Sequence, residues 1–120
     1  MTAIRMAKDF YKLCSDLKDR NQEQIDVILL NQKNVIIGRE MVFLGMVASC
    51  NFNPREILRV AIASDAAAIC VVHNHPSGDT KPSDEDHAMF NRMEEACKII
   101  GIRLLDNIII GDGYYATSES

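Results

Sequence analysis

The stretch HNHPSGDTKPSDED, residues 73–86, contains two histidines, a serine and an aspartate at a spacing that could bind a metal or carry protons. His73 and His75 lie two residues apart, so on an extended strand both imidazoles point to the same side. Ser83 and Asp86 follow after a loop that contains proline and glycine. Two neutral imidazoles and one carboxylate suit zinc and leave a fourth position for water, as in catalytic sites. The stretch therefore predicts a zinc site formed by His73, His75 and Asp86.

A helix cap is the alternative interpretation of the same residues. Ser83-x-x-Asp86 resembles a capping box in which Asp replaces the usual Glu or Gln, and that role needs no metal. The two interpretations are compatible, because a capped helix can carry Asp86 to a metal. His87 follows Asp86 directly and is about 100° around the helix, so we expect it to support the site or lie at the surface.

A hydrolytic zinc site also needs a general base, and three upstream glutamates are candidates. Glu56 is accounted for as part of a helix start, and Glu40 lies in a strand with apolar residues on both faces. Glu23 shares the parity of Ile25, Val27 and Leu29, which predicts an inward-facing carboxylate at the start of a strand. The alternative for Glu23 is a frayed strand start that leaves the residue in water.

The elements that position these residues follow from hydrophobic periodicity and turn signals. A helical period runs over residues 4–19, and QIDVILL and NVIIGREMVFLG form a hairpin through Asn31 to Asn34. Asn53-Pro54-Arg55-Glu56 starts a second helix, and AAAICVVH is the apolar run of a central strand. Ser83 starts a third helix that ends at Gly101, followed by the strand IRLLDNIIIG and a last short strand. The order α-β-β-α-β-α-β-β predicts an α/β sandwich, a mixed β-sheet flanked by helices.

Composition places these elements in one soluble, intracellular domain. The 120 residues fit a single domain, with an N-terminal helix within 1–20 and a core over 21–118. The N-terminus lacks a signal-peptide pattern, and no apolar run is long enough for a membrane span, so we expect a cytoplasmic protein. The four scattered cysteines are expected to be buried free thiols. A net charge of −4 does not support direct DNA binding.

These motifs resemble the JAMM (MPN-plus) metalloprotease signature, Glu…His-x-His-x7-Ser-x2-Asp, and the closest resemblance is to the RadC family. HNHPSG, PSDED, NPRE and LLDNIIIGDG are similar to RadC stretches in the same order, over about residues 20–117. The resemblance implies a cytidine-deaminase-like α-β-α fold with His73, His75 and Asp86 as zinc ligands. It also implies that Glu23 activates the water and that Ser83 stabilises the oxyanion.

Two hypotheses for function follow from the resemblance. The first is a zinc-dependent hydrolase that cleaves a peptide or isopeptide amide bond in an unidentified protein or peptide. The second is a non-catalytic or nuclease-like module in DNA repair or recombination, the process for which RadC proteins are named. A nuclease needs cations near the scissile phosphate, and Lys81 is the one obvious candidate in the loop.

The chain departs from typical RadC sequences in three ways. It begins just before the JAMM-like domain, without a helix-hairpin-helix region, so we expect an excised domain or a short stand-alone relative. Asn53 stands where the family commonly has His, and Asn107 stands where many relatives have His after Asp106. The roles of Asp106 and Asn107 stay open, and pairing of strands between chains would give a homodimer.

Overall fold

The computed structural model describes residues 3–4, 6–45 and 53–120. The elements, in chain order, are helix α1 (Ala7–Leu13), strands β1 (Glu23–Leu30) and β2 (Ile36–Gly45), helix α2 (Pro54–Ala63), strand β3 (Ala68–Asn74), helix α3 (Asp84–Ile100), and strands β4 (Arg103–Gly111) and β5 (Gly113–Ala116). Short 3-10 turns follow α1 at Ser15–Asp19 and β5 at Thr117–Glu119. This order is the predicted one, and it confirms the α/β fold class.

The five strands form one mixed sheet in the order β2-β1-β3-β4-β5. β3 lies in the centre, antiparallel to β1 and parallel to β4, and all of its residues are buried. This burial agrees with the continuous apolar run that predicted a central strand. Helix α3 connects the two parallel strands, so the carboxyl end of β3 lies next to the start of α3.

Helices cover both faces of the sheet, and each face has its own core. Helices α2 and α3 pack on the face that carries Ile25, Val27, Ile69 and Val71. Helix α1 packs on the opposite face, against alternate residues of the same strands such as Ile28, Cys70 and Ile108. The period-2 alternation of the strands thus divides their side chains between two helical layers.

The first helix is shorter than the sequence period over residues 4–19 predicted. Helix α1 ends at Leu13, and the backbone leaves the helical conformation at Cys14 before the 3-10 turn begins. Phe10, Cys14 and Leu17 nevertheless all pack in the same core. Two short helical segments therefore place the apolar side chains that the sequence period assigned to one helix.

The predicted boundaries of helices α2 and α3 agree with the structure. The Asn53 side chain accepts a hydrogen bond from the Arg55 backbone N–H at 2.9 Å and caps α2. Gly101 ends α3 in the left-handed conformation with φ of +85°, which glycine adopts without strain.

Cys14, Cys70 and Cys97 are buried free thiols, as expected, and burial raises the pKa of Cys14 to about 12. Cys50 lies outside the described residues. No helix in the described part of the chain has the length and apolar character that crossing a membrane requires.

Candidate metal centre

The candidate metal centre lies where β3 ends and α3 begins. In open α/β sheets, ligands commonly bind outside the carboxyl ends of the strands. His73 is the penultimate residue of β3, and His75 follows the strand, where its backbone N–H donates to the carbonyl of Ile110 in β4 at 2.9 Å. The loop then brings the chain back to Ser83, the N-cap of α3.

His73, His75 and Asp86 converge as the sequence predicted. One ligand atom from each residue lies within 4.8 Å of the others. The His73 Nε2 lies 3.2 Å from Asp86 Oδ1, and the His75 Nε2 lies 3.1 Å from Asp86 Oδ2. Ligands of a tetrahedral metal with bonds of about 2.1 Å are themselves about 3.4 Å apart, so these spacings are close to those of a metal site.

The nitrogen atoms of His73 lack hydrogen-bond partners among the described residues. The ring is 1% exposed and packs 6.2 Å from the ring of Phe90; Nδ1 has no polar partner, and Nε2 has only the 3.2 Å contact with Asp86 Oδ1, which is not aligned as a hydrogen bond. A buried polar atom without a partner is costly unless a ligand or water satisfies it. A metal coordinated by His73 would satisfy one of these atoms, so the residues present fit a metal ion.

Asp86 is held in place by the start of α3. The Ser83 hydroxyl accepts from the Asp86 backbone N–H at 3.0 Å, and Asp86 Oδ2 accepts from the Ser83 backbone N–H at 2.9 Å. This is the reciprocal capping box that the sequence predicted, and it coexists with the approach of Asp86 to both histidines.

Electrostatics keep Asp86 ionised, as a metal ligand must be. Burial alone would raise its pKa, but the polar contacts with His73 and His75 and the Ser83 backbone outweigh burial and hold the pKa well below its usual range. The hydrogen bond to Asp86 raises the pKa of His75 above 6.5, against the opposing effect of burial. The Asp79 carbonyl and the charges of Asp86 and Glu23 add to this rise.

Glu23 is the first residue of β1 and lies close to this centre. The antiparallel register of β1 and β3 pairs Ile25 with His73 as its last pair, and Glu23 begins β1 two residues before Ile25, at the end of the sheet where His75 follows β3. Glu23 is partly buried, and its charge acts on His75. Glu40, by contrast, is exposed and pairs with Val27 in the middle of the β1–β2 ladder, and Glu56 pairs with Arg59 at 3.1 Å. Among the three candidate bases, Glu23 alone is at the metal end of the sheet.

The other residues singled out from sequence lie around or away from the centre. Ser83 is exposed at the helix start, His87 is exposed with its ring 6.1 Å from that of Phe90, and Lys81 is exposed in the loop. Asp106 is buried and accepts hydrogen bonds from Thr117 and Ser118, so it fixes the C-terminal turn. Asn107 is buried beside Val71, with no partner for its Oδ1 among the described residues.

Two supporting features were not foreseen from the sequence. The Asn74 side chain contacts the backbone at the start of β1, and the Gly78 carbonyl accepts from the Asp112 N–H at 2.7 Å. At Gly111 an added Cβ would lie 2.4 Å from the Gly78 oxygen, so only glycine allows this approach. The sequence signalled the approach of Gly78 to Gly111 and Asp112 only through the GDG turn at the end of β4.

The geometry agrees with what comparison with known proteins finds. The sequence model of the RadC-like JAB domain matches residues 4–120. The chain belongs to the RadC family. The resemblance seen in the motifs is thereby confirmed over nearly the whole chain.

The chain is also similar to UPF0758 proteins from several bacteria. It is 44% identical over 115 residues to one from Staphylococcus carnosus, which covers 96% of this chain and 50% of that protein. It is 46% identical over 118 residues to one from Desulforamulus reducens, covering 98% and 52%. It is 48% identical over 105 residues to one from Clostridium tetani, covering 88% and 46%. The chain thus spans about half the length of these relatives.

Proposed function

We propose that this RadC-family domain is a zinc-dependent hydrolase that cleaves an amide bond in a peptide or protein. The observation that carries the proposal is the convergence of His73, His75 and Asp86 at one end of the sheet, with Glu23 near enough for its charge to act on His75. Zinc bound by the three ligands would supply a water of pKa about 7 and a Lewis acid for the carbonyl oxygen. Three protein ligands suit a catalytic zinc site, whereas structural zinc sites usually have four.

Side chains of the domain supply the remaining catalytic roles. Glu23 takes a proton from the attacking water and passes it to the leaving nitrogen, as a general base and then a general acid. Asp86 stays ionised because the histidines and the helix start stabilise its charge. The Ser83 hydroxyl accepts from Asp86 N–H and keeps its own proton free to donate, which suits a contact with a developing oxyanion.

The charge around the centre favours an amide over a phosphodiester. Asp79, Asp84, Glu85 and Asp112 are exposed on the loop, the first turn of α3 and the β4–β5 turn. Within residues 75–87, Lys81 is the one Lys or Arg. A polyanion would be repelled by this rim, and phosphate contacts normally require several cations. The nuclease alternative is therefore the weaker one, and the DNA-repair association stays a hypothesis about recruitment.

A direct comparison of substrates tests this proposal. The zinc-loaded chain is incubated separately with a peptide library and with single-stranded and duplex DNA, and cleavage products are identified by mass spectrometry. We expect cleavage in the peptide pool and none in DNA, and we expect Glu23→Gln to retain zinc and lose cleavage. DNA cleavage that depends on Glu23, or peptide cleavage that survives Glu23→Gln, would contradict the assignment.

A further inference from the structure

Asn74 separates the two histidines of the metal centre, and its side chain extends sideways from β3 toward β1. The residue is 1% exposed. Its Oδ1 accepts from the Gln24 backbone N–H at 2.7 Å, and its Nδ2 donates to the Gln22 backbone carbonyl at 3.1 Å. One amide thus bonds to the backbone on both sides of Glu23.

These two bonds occur where the backbone ladder between β1 and β3 ends. The last backbone pair joins Ile25 to His73, and beyond it the His75 N–H bonds to Ile110 in β4. The amide of Asn74 provides one acceptor and one donor, the same pair of groups that another strand residue would provide. The side chain therefore extends the pairing of β1 past its last backbone pair with β3.

The consequence concerns the first residue of β1. Strand ends fray when their backbone groups bond to water, and a frayed start would let Glu23 move away from the metal ligands. A carboxylate that transfers a proton must stay within hydrogen-bond reach of the water, and a displacement of about 1 Å is enough to reduce catalysis strongly.

We propose that Asn74 is a positioning residue that holds Glu23 at the metal centre by fixing the backbone of Gln22 and Gln24. The inference rests on the proposed function, because it concerns the residue assigned there as the base. Asn74 itself contacts neither metal nor substrate in this role. Its action is transmitted through the start of β1.

Hydrogen exchange tests whether the Asn74 side chain fixes the backbone at the start of β1. In Asn74→Ala, we expect the Gln24 amide to exchange at least about tenfold faster, because its acceptor is gone, while the amides of Val27 and Leu29 keep their protection. The matched control is Asn31→Ala at the other end of β1, because Asn31 Oδ1 accepts from the Lys33 and Val35 N–H groups in the same manner. Unchanged exchange at Gln24 in Asn74→Ala would overturn the inference.

A double-mutant cycle tests whether Asn74 acts through Glu23. The probe is acetohydroxamate, which chelates a metal and shares a proton with a neighbouring carboxylate, and its affinity for the cobalt-loaded chain is read from visible absorption. We expect Glu23→Gln to weaken binding about tenfold, the scale of one lost charge-assisted hydrogen bond. Asn74→Ala should weaken it by a similar factor, and adding Asn74→Ala to Glu23→Gln should weaken it no further.

The outcomes separate failure of this inference from failure of the proposed function. If Glu23→Gln binds the probe as tightly as the unmodified chain, the base assignment fails and the positioning role fails with it. If Glu23→Gln weakens binding but Asn74→Ala does not, or if the two effects are additive, the base assignment stands and the role of Asn74 is wrong. Asn74→Asp provides a second variant in case Asn74→Ala does not fold. It keeps the acceptor for Gln24 but sets a carboxylate oxygen against the Gln22 carbonyl, so we expect weaker probe binding than in the unmodified chain.

Discussion

The Nδ1 of His75 lies 2.7 Å from the carbonyl oxygen of Asp79. A carbonyl oxygen only accepts hydrogen bonds, so this contact requires the proton on Nδ1 and leaves Nε2 facing Asp86. In the neutral ring, Nε2 and the carboxylate oxygen 3.1 Å away are both acceptors. Their close approach is favourable only when a proton or a metal cation lies between them. The loop thus prepares His75 to exchange a proton for a metal.

Metal affinity should therefore depend on pH through His75. The hydrogen bond to Asp86 raises the pKa of His75 in the metal-free chain, against the opposing effect of burial, so the ring keeps its extra proton to a higher pH than an ordinary histidine. A metal must displace that proton. We expect zinc affinity to fall about tenfold per pH unit below the pKa of His75, while Asp86 stays ionised.

A chelator competition assay between about pH 5.5 and 8.5 measures this dependence. The free energy of unfolding of the metal-free chain should show the opposite trend. The contribution of the His75–Asp86 pair is fully present below the unfolded pKa of His and is lost as the pH rises through the raised folded value. Zinc affinity that is flat across this range would contradict the coupling.

Gly111→Ala should disturb the metal loop from outside the ligand set. The new Cβ would lie 2.4 Å from the backbone oxygen of Gly78, which cannot move without shifting the loop between His75 and Ser83. We expect zinc affinity to fall about tenfold or more, the range seen when groups that support metal ligands are altered.

Gly38→Ala is the matched control for that substitution. Its Cβ would meet the Cδ1 of Leu29 at 3.3 Å, the end of a flexible side chain far along β2 from the metal loop. Titration with zinc should give the affinity of the unmodified chain for Gly38→Ala. Equal affinities for the two variants would show that the Gly78–Gly111 approach does not position the loop.

Ser83→Ala should destabilise the start of α3. It removes the acceptor for the Asp86 N–H, and loss of such a cap costs about 1 kcal/mol of unfolding free energy. Ser83→Asn should recover most of this loss, because Asn is also a good N-cap residue. Urea unfolding of the metal-free variants measures both values. If Ser83→Ala is as stable as the unmodified chain, the hydroxyl does not cap the helix.

Much of the site could be predicted because its parts follow from local rules. The spacing of His73 and His75 on an extended strand and the Ser83–Asp86 cap on the next helix both depend on residues close in sequence. The alternation of Glu23 with Ile25, Val27 and Leu29 also predicted the face of the sheet on which its side chain lies. Only the structure shows that Glu23 begins β1 partly buried and that the Gln24 N–H donates to the Asn74 side chain, 50 positions away.

The remaining features depend on backbone groups and long-range register. His75 is oriented by the backbone carbonyl of Asp79, and the backbone carbonyl of Gly78 approaches Gly111. Every residue type has a backbone carbonyl, so the sequence gives no sign of which ones take these roles.

The interruption of the first helix at Cys14 was also not predicted. The apolar spacing there suits either one helix or two short pieces, and packing on the sheet decides between them.

Metal content tests the central claim most directly. The purified chain, dialysed against zinc and then freed of unbound metal, is measured by inductively coupled plasma mass spectrometry beside His75→Ala, Asp86→Ala and the control His87→Ala. We expect about one zinc ion per chain in the unmodified protein and in His87→Ala, and almost none in the two ligand variants. A metal-free unmodified chain, or equal zinc in all four proteins, would contradict the account.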